Sequence, residues 1–160
     1  MNRFFIILSL LMCVACAQET AITDMRCESL VEPMAVDSQS PRFTWTYTEA
    51  AGEDFVPAGH SIDVAVCPDA LEGAGMPELM PFTDYFWRVT VWNEDKSKVL
   101  VSPVSRFSTG PMSMEDWTAV WISDCDDKDK PSVPMLRKEF EVKGDVSKAV
   151  LYMSAAAYAK

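Results

Sequence analysis

The chain has 160 residues, a formal net charge of −10 and 49% hydrophobic residues. That hydrophobic content supports a packed core and excludes a disordered chain. The acidic balance, without clustered Lys and Arg, argues against nucleic acid as a partner.

The first segment, residues 1–17, has the order of parts of a secretory signal peptide. Asn2 and Arg3 form a short positive region. Residues 4–12 form an apolar run interrupted only by Ser9. Ala15-Cys16-Ala17 then supplies small residues in A-x-A spacing. The apolar run is too short to cross a bilayer, which takes about 20 residues. Two processing outcomes stand open: cleavage after Ala17, or lipidation of Cys16 as the first mature residue, with Cys13-Val14-Ala15 matching a lipoprotein box in part. Arg3 is the only charge in this segment, so its removal takes the net charge to −11. About 143 residues then remain, enough for one domain or one and a half. No second long apolar run follows, so a spanning helix is not expected and membrane association is expected only through a lipid on Cys16. The expected location is periplasmic, outer-membrane-anchored or extracellular.

Residues 21–109 carry a period-two pattern. Phe43, Trp45 and Tyr47 share one face. Ile62, Val64 and Val66 alternate with Ser61, Asp63 and Ala65. Tyr85, Trp87, Val89 and Val91 face one way, and Phe86, Arg88, Thr90 and Trp92 the other. Such β-branched and aromatic runs, with prolines between them, predict short strands in a two-sheet sandwich and an all-β fold. Leu79-x-Pro81-x-Thr83-x-Tyr85 leads straight into the strand around Trp87. It resembles the tyrosine corner of fibronectin type III and immunoglobulin-like domains, in which the Tyr hydroxyl bonds back to the turn. Residues 107–109 read as the closing strand. Trp45 is expected to be the core tryptophan of the second strand; core packing is also expected for Trp87, and Trp92 is left unassigned. Gly73, Gly75 and Pro77 suggest that residues 68–80 form a bare loop. A strand would then be missing and a sheet edge exposed.

Gly110-Pro111-Met112-Ser113 breaks the pattern, and residues 111–116 read as a linker. Strands are expected at 119–123, 135–142 and 149–154, the start of a second sandwich in residues 117–160. Three strands alone cannot close it, so this part is expected to be marginal.

Seven motifs in order resemble the N-terminal end of bacterial α-L-rhamnosidases of glycoside hydrolase family 78. They are Met25-Arg26-Cys27-Glu28, Ser40-Pro41-Arg42-Phe43-Thr44-Trp45, the run 85–92, Phe107-Ser108-Thr109-Gly110, Asp116-Trp117-Thr118-Ala119-Val120-Trp121-Ile122, the run 134–140 and the run 149–154. The resemblance implies a fibronectin type III-like domain at 21–110 and an incomplete jelly-roll, similar to carbohydrate-binding modules, at 117–160. It also implies an (α/α)6 catalytic barrel that lies beyond this sequence. The implied chemistry is inverting hydrolysis of terminal α-L-rhamnose by paired acids. The implied partners are the remainder of the parent enzyme and a rhamnose-containing glycan. The chain departs from the resemblance in its short 68–80 stretch and in its early end, which reads as a truncated product. The rival reading is a non-catalytic surface module, anchored through Cys16, that binds glycan or protein.

No catalytic, cofactor or metal residue is assigned, and no cofactor is expected. Asp124-x-Asp126 opens like a calcium loop, but lacks the Gly and late Glu such a loop requires; the acidic stretch 124–129 reads as solvated surface. His60 has no Cys, Ser or Asp at motif spacing. Cys27, Cys67 and Cys125 fit no disulfide or zinc framework and read as buried free thiols.

Overall fold

The computed structural model describes residues 20–48, 55–122 and 136–154. The signal-like segment with Cys16, the acidic stretch 124–129 and Cys125 lie outside the described residues.

Among the described residues, six strands form two antiparallel sheets. β1 (Ala21–Cys27) pairs with β2 (Phe43–Thr48). β3 (Gly59–Ala65) pairs with β4 (Asp84–Trp92), and β4 pairs on its other side with β5 (Val99–Val101) and β6 (Ser105–Ser108). β4 is the spine of the fold because its sequence is strictly two-faced. Tyr85, Trp87, Val89 and Val91 are buried, while Phe86, Arg88, Thr90 and Trp92 are half-buried on the outer face. The inner face packs against Cys27 and Ile22 of β1, with Phe43, Trp45 and Tyr47 of β2 half-buried against it. Phe43 reaches across to Trp87 with ring centroids 4.5 Å apart, and Phe107 stacks on Tyr85 at 5.4 Å.

The fully buried tryptophan is therefore Trp87, with no exposed surface, and not Trp45. Trp45 is half-buried against the cluster of Ile22, Phe55, Val89 and Val91, and its indole donates to the Tyr47 hydroxyl at 2.9 Å. A side chain on a paired strand with neighbours on both sides is enclosed; one on a two-stranded sheet keeps an open flank.

β5 and β6 are one return strand interrupted by a bulge. Trp87 to Thr90 spans three steps on β4, while the partners Ser105 and Val101 are four residues apart. Pro103 sits in this break and has no N–H to contribute. Ser102 compensates: its hydroxyl accepts the Val89 N–H at 3.0 Å and donates to the Pro103 carbonyl at 2.7 Å. On the far side of β6, residues 33–36 run alongside, with Val36 N–H donating to Ser108 O and Ser108 N–H to Pro33 O, both at 2.9 Å.

The stretch 68–80 is not a bare loop. It opens with a short 3-10 turn at Pro68–Ala70, buries Leu71 and Leu79, and returns along β3. There the Val64 N–H donates to Gly75 O at 2.9 Å, and the Gly75 N–H to the Asp63 carboxylate at 3.1 Å. The edge expected to be exposed is thus covered at its centre by backbone pairing without a strand. This cover also buries Asp63, which alternation alone assigns to the open face. Val66, expected inside, lies beyond the end of β3 and is exposed.

The three strands expected after residue 117 do not form among the described residues. Residues 119–122, 136–142 and 149–154 have no ladder partner, and Trp121, Phe140 and Leu151 are 74%, 81% and 83% exposed. Strand propensity is realised only against a neighbouring strand, which supplies the hydrogen bonds that fix extended backbone.

The cysteines divide. Cys27 is buried, as expected, whereas Cys67 is exposed. Burial, helped by the neighbouring Glu28 charge, pushes the Cys27 thiol from 9.0 up to about 12. The native chain therefore keeps a proton that the unfolded chain releases. This contribution to stability is intact below pH 9.0 and is lost as pH climbs toward about 12, at up to about 1.4 kcal/mol per pH unit. Alkylation at pH 8 with peptide mapping is expected to modify Cys67 in the native protein and Cys27 only after unfolding. Equal rates at both thiols in the folded chain would refute this.

Candidate functional site

The most heavily constrained surface lies around the tyrosine corner. Residues 79–83 must turn sharply into β4, and nearly every backbone group of the turn is held from another element. Gln39 holds both sides of Leu79, donating to its carbonyl at 2.8 Å and accepting its N–H at 2.9 Å. The Met80 N–H donates to the Tyr85 hydroxyl at 2.8 Å, the bond expected of a tyrosine corner. The buried Thr109 hydroxyl donates to Met80 O at 2.6 Å and accepts the Thr83 N–H at 2.9 Å. The Phe82 N–H donates to Gly110 O at 3.2 Å, and Phe82 is held at φ 54°. Gly110 packs closely against this turn: a Cβ there would lie 3.0 Å from the Ala35 backbone.

The chain after Gly110 is held as firmly. Met112 packs against the core. The Asp116 carboxylate accepts the N–H groups of Met112 and Ser113 at 2.8 and 2.7 Å, while the Ser113 hydroxyl accepts from Glu115 at 3.2 Å. This is a capping box on the 3-10 turn Met114–Asp116. Beyond it Trp117, Val120, Trp121 and Ile122 face Tyr152 and Met153 across an apolar groove of about 340 Å³. The lining holds no carboxylate, imidazole or thiol. Its chemistry is contact with an apolar surface, not proton transfer.

A second concavity lies on the outer face of β3 and β4. Asp63 and Arg88 lie at its floor, with Arg88 Nε 3.7 Å from the Asp63 carboxylate, and Ser61, Glu72 and Thr90 around them. Arg88 Nε is buried without a hydrogen-bond acceptor. The pair anchors the 71–75 cover onto the sheet through Gly75.

The remaining candidates resolve into structural roles. Trp92 lies flat over Gly59, where a Cβ would meet the indole at 2.6 Å, and Lys96 Nζ sits 5.4 Å from its ring centre. His60 is exposed, with its ring 5.3 Å from that of Trp45. Among the described residues no three His, Cys, Asp or Glu side chains come together as a metal site. Thr109 and Asp63 are the influential residues that sequence reasoning missed. Thr109 is the third residue of the Phe-Ser-Thr-Gly motif, which marks its place but not its bonds, and nothing local marks Asp63 as buried.

The Rha78A-like, N-terminal immunoglobulin domain model matches residues 22–72 and 70–113, more than half of the chain. An α-L-rhamnosidase of Alteromonas sp. (strain LOR) is 25% identical over 95% of this chain and 20% of its own length. One from Formosa agariphila is 27% identical over 80% of this chain and 17% of its own. The Streptomyces avermitilis enzyme is 29% identical over 64% of this chain and 12% of its own length. The crystal structure of a Streptomyces avermitilis α-L-rhamnosidase with L-rhamnose superposes with a TM-score of 0.54 at 26% identity, covering 65% of this chain and 12% of that one. An α-L-rhamnosidase from Dictyoglumus thermophilum gives a TM-score of 0.56 at 24% identity, over 64% of this chain and 14% of that one. The chain spans no more than a fifth of the length of these curated relatives.

Proposed function

Because the chain belongs to the Rha78A-like, N-terminal immunoglobulin domain family, we propose that it serves as an accessory module of an exported α-L-rhamnosidase-like glycoside hydrolase acting on rhamnose-containing glycans, with the hydrolytic groups on other sequence. The observation that carries this reading is the match to relatives named as rhamnosidases over 12–20% of their length. The residues support a scaffold role. The sandwich packs Phe43, Tyr85, Trp87 and Phe107 into its own core, and the groove lined by Trp117, Val120, Trp121 and Ile122 beyond it is apolar. Inverting hydrolysis needs an acid and a base separated by a water, and Asp63, the carboxylate buried in the sandwich, is occupied by Arg88 and Gly75. Export rests on the signal-like order of residues 1–17, with membrane attachment through Cys16 as the variant of that reading.

The test is direct. The purified, folded chain is expected to release no aryl alcohol from an aryl α-L-rhamnoside above the buffer rate. Saturable release by this chain alone would overturn the assignment of the chemistry to other sequence. The apolar groove favours one second reading, a surface module that contacts a partner protein. Titration with a rhamnose-bearing polysaccharide separates it from a glycan-binding module: a flat titration leaves the protein contact, and saturable heat points to glycan.

A further inference from the structure

We propose that the rim of the tyrosine corner, formed by Phe82, Asp84 and Thr109, is a docking surface whose occupant is the chain's own 148–152 segment, so that this segment is carried in a fixed orientation on the immunoglobulin-like unit.

Three contacts of different chemistry converge there from far along the chain. The Lys148 ammonium sits on the Asp84 carboxylate. The Tyr152 ring meets the Phe82 ring edge-to-face with centroids 5.0 Å apart. The Tyr152 hydroxyl donates to the Thr109 carbonyl at 3.2 Å. Tyr152 is half-buried while its neighbours Leu151 and Met153 are 83% and 66% exposed, so this one ring is turned toward the rim.

Phe82 supplies the independent argument. It occupies the left-handed region at φ 54° in the Pro81-Phe82 turn, a position where glycine or asparagine is the ordinary choice. A bulky residue there is held against its own preference, and Phe82 is 48% exposed, so core packing does not explain it. The ring of Tyr152 does: the strained turn projects Phe82 outward to the place where an aromatic partner meets it. The Asp84 carboxyl is held below the ordinary aspartate range chiefly by the Lys148 ammonium itself, and further by the Ser108 hydroxyl, which donates to it, and by the nearby Arg106 charge.

The alternative occupant of an exposed aromatic is a sugar ring, and one experiment separates the two. The full chain is treated in dilute solution with a zero-length carbodiimide, which joins an amine to a carboxylate only when they touch, and the products are mapped by mass spectrometry. A mixture of isotopically light and heavy chains distinguishes bonds within a chain from bonds between chains. The expected product joins Lys148 to Asp84 within one chain. Phe82→Gly removes the ring while relaxing the turn, so the fold is not threatened. It is expected to lower the yield about fivefold, the factor an aromatic pair contributes. Asp84→Asn is expected to abolish the product. Absence of the 84–148 bond in the wild-type chain, its formation only between chains, or an undiminished yield in Phe82→Gly would overturn the proposal. None of these outcomes depends on whether the chain serves a rhamnosidase.

Discussion

Trp87→Ala is expected to abolish most of the stability of the immunoglobulin-like unit. The indole has no exposed surface, lies at the middle of β4 between Val64 and Ser105, and meets Phe43 of the opposite sheet at 4.5 Å. It is a central contact between the two sheets. Truncating a buried Phe or Trp costs about 3–5 kcal/mol, from lost transfer energy and the cavity left behind. That approaches the whole stability of a domain at the low end of the usual range of about 5–15 kcal/mol. Urea unfolding followed by far-UV circular dichroism is the measurement, since the substitution removes a fluorescence probe. Trp87→Phe is the companion variant. It keeps a ring against Phe43 and deletes an indole N–H that has no hydrogen-bond partner, so it should cost less than half as much. A wild-type urea midpoint for Trp87→Ala would mean that the sheets do not depend on this contact.

The second large effect is expected at the tyrosine corner. Tyr85→Phe keeps the stack on Phe107 but leaves the Met80 N–H without its hydroxyl acceptor. Thr109→Val keeps the shape of a fully buried side chain but strands the Thr83 N–H and the Met80 carbonyl. Leaving a desolvated backbone group unpaired costs about 1–3 kcal/mol. Each variant should therefore lower the urea midpoint clearly, with the slope of the transition unchanged. The two hydroxyls hold opposite sides of the same residue, Met80. Once one is gone the turn relaxes and the other is worth less, so the double variant should lose less than the sum, by about 0.5 kcal/mol or more. Strict additivity would show that the two bonds act independently; no loss in either variant would show that the corner is not a source of stability.

Asp84 and Cys27 show why the same fold responds differently at the two ends of the pH scale. Asp84 is half-exposed, and its depressed carboxyl bears on the docked 148–152 segment, so that contact is expected to loosen only as strong acid protonates it and as salt screens it. Cys27 is inside, and its raised thiol loads the alkaline side instead.

Several features were legible in the residues alone. Alternation along residues 85–92 foretold both faces of β4, because burial of one face of a strand is written residue by residue with period two. The tyrosine corner was equally local, since donor and acceptor lie five residues apart in one turn. Family membership followed from motifs kept in order, and the domain match at 22–113 bears it out. Other features depended on parts of the chain that meet only in the fold. Asp63 is buried because a return stretch twelve residues on covers it. Trp87 rather than Trp45 fills the core because β4 has strands on both sides and β2 has one. The segments after residue 117 carry strand propensity and form no strand among the described residues, and Tyr152 is placed by Phe82 and Thr109, 70 and 43 positions away. The sequence by itself determined which side chains seek burial and how each turn can bend. Tertiary structure decided which of them find a partner, because a ladder or a covered face needs a second segment whose arrival no local pattern records.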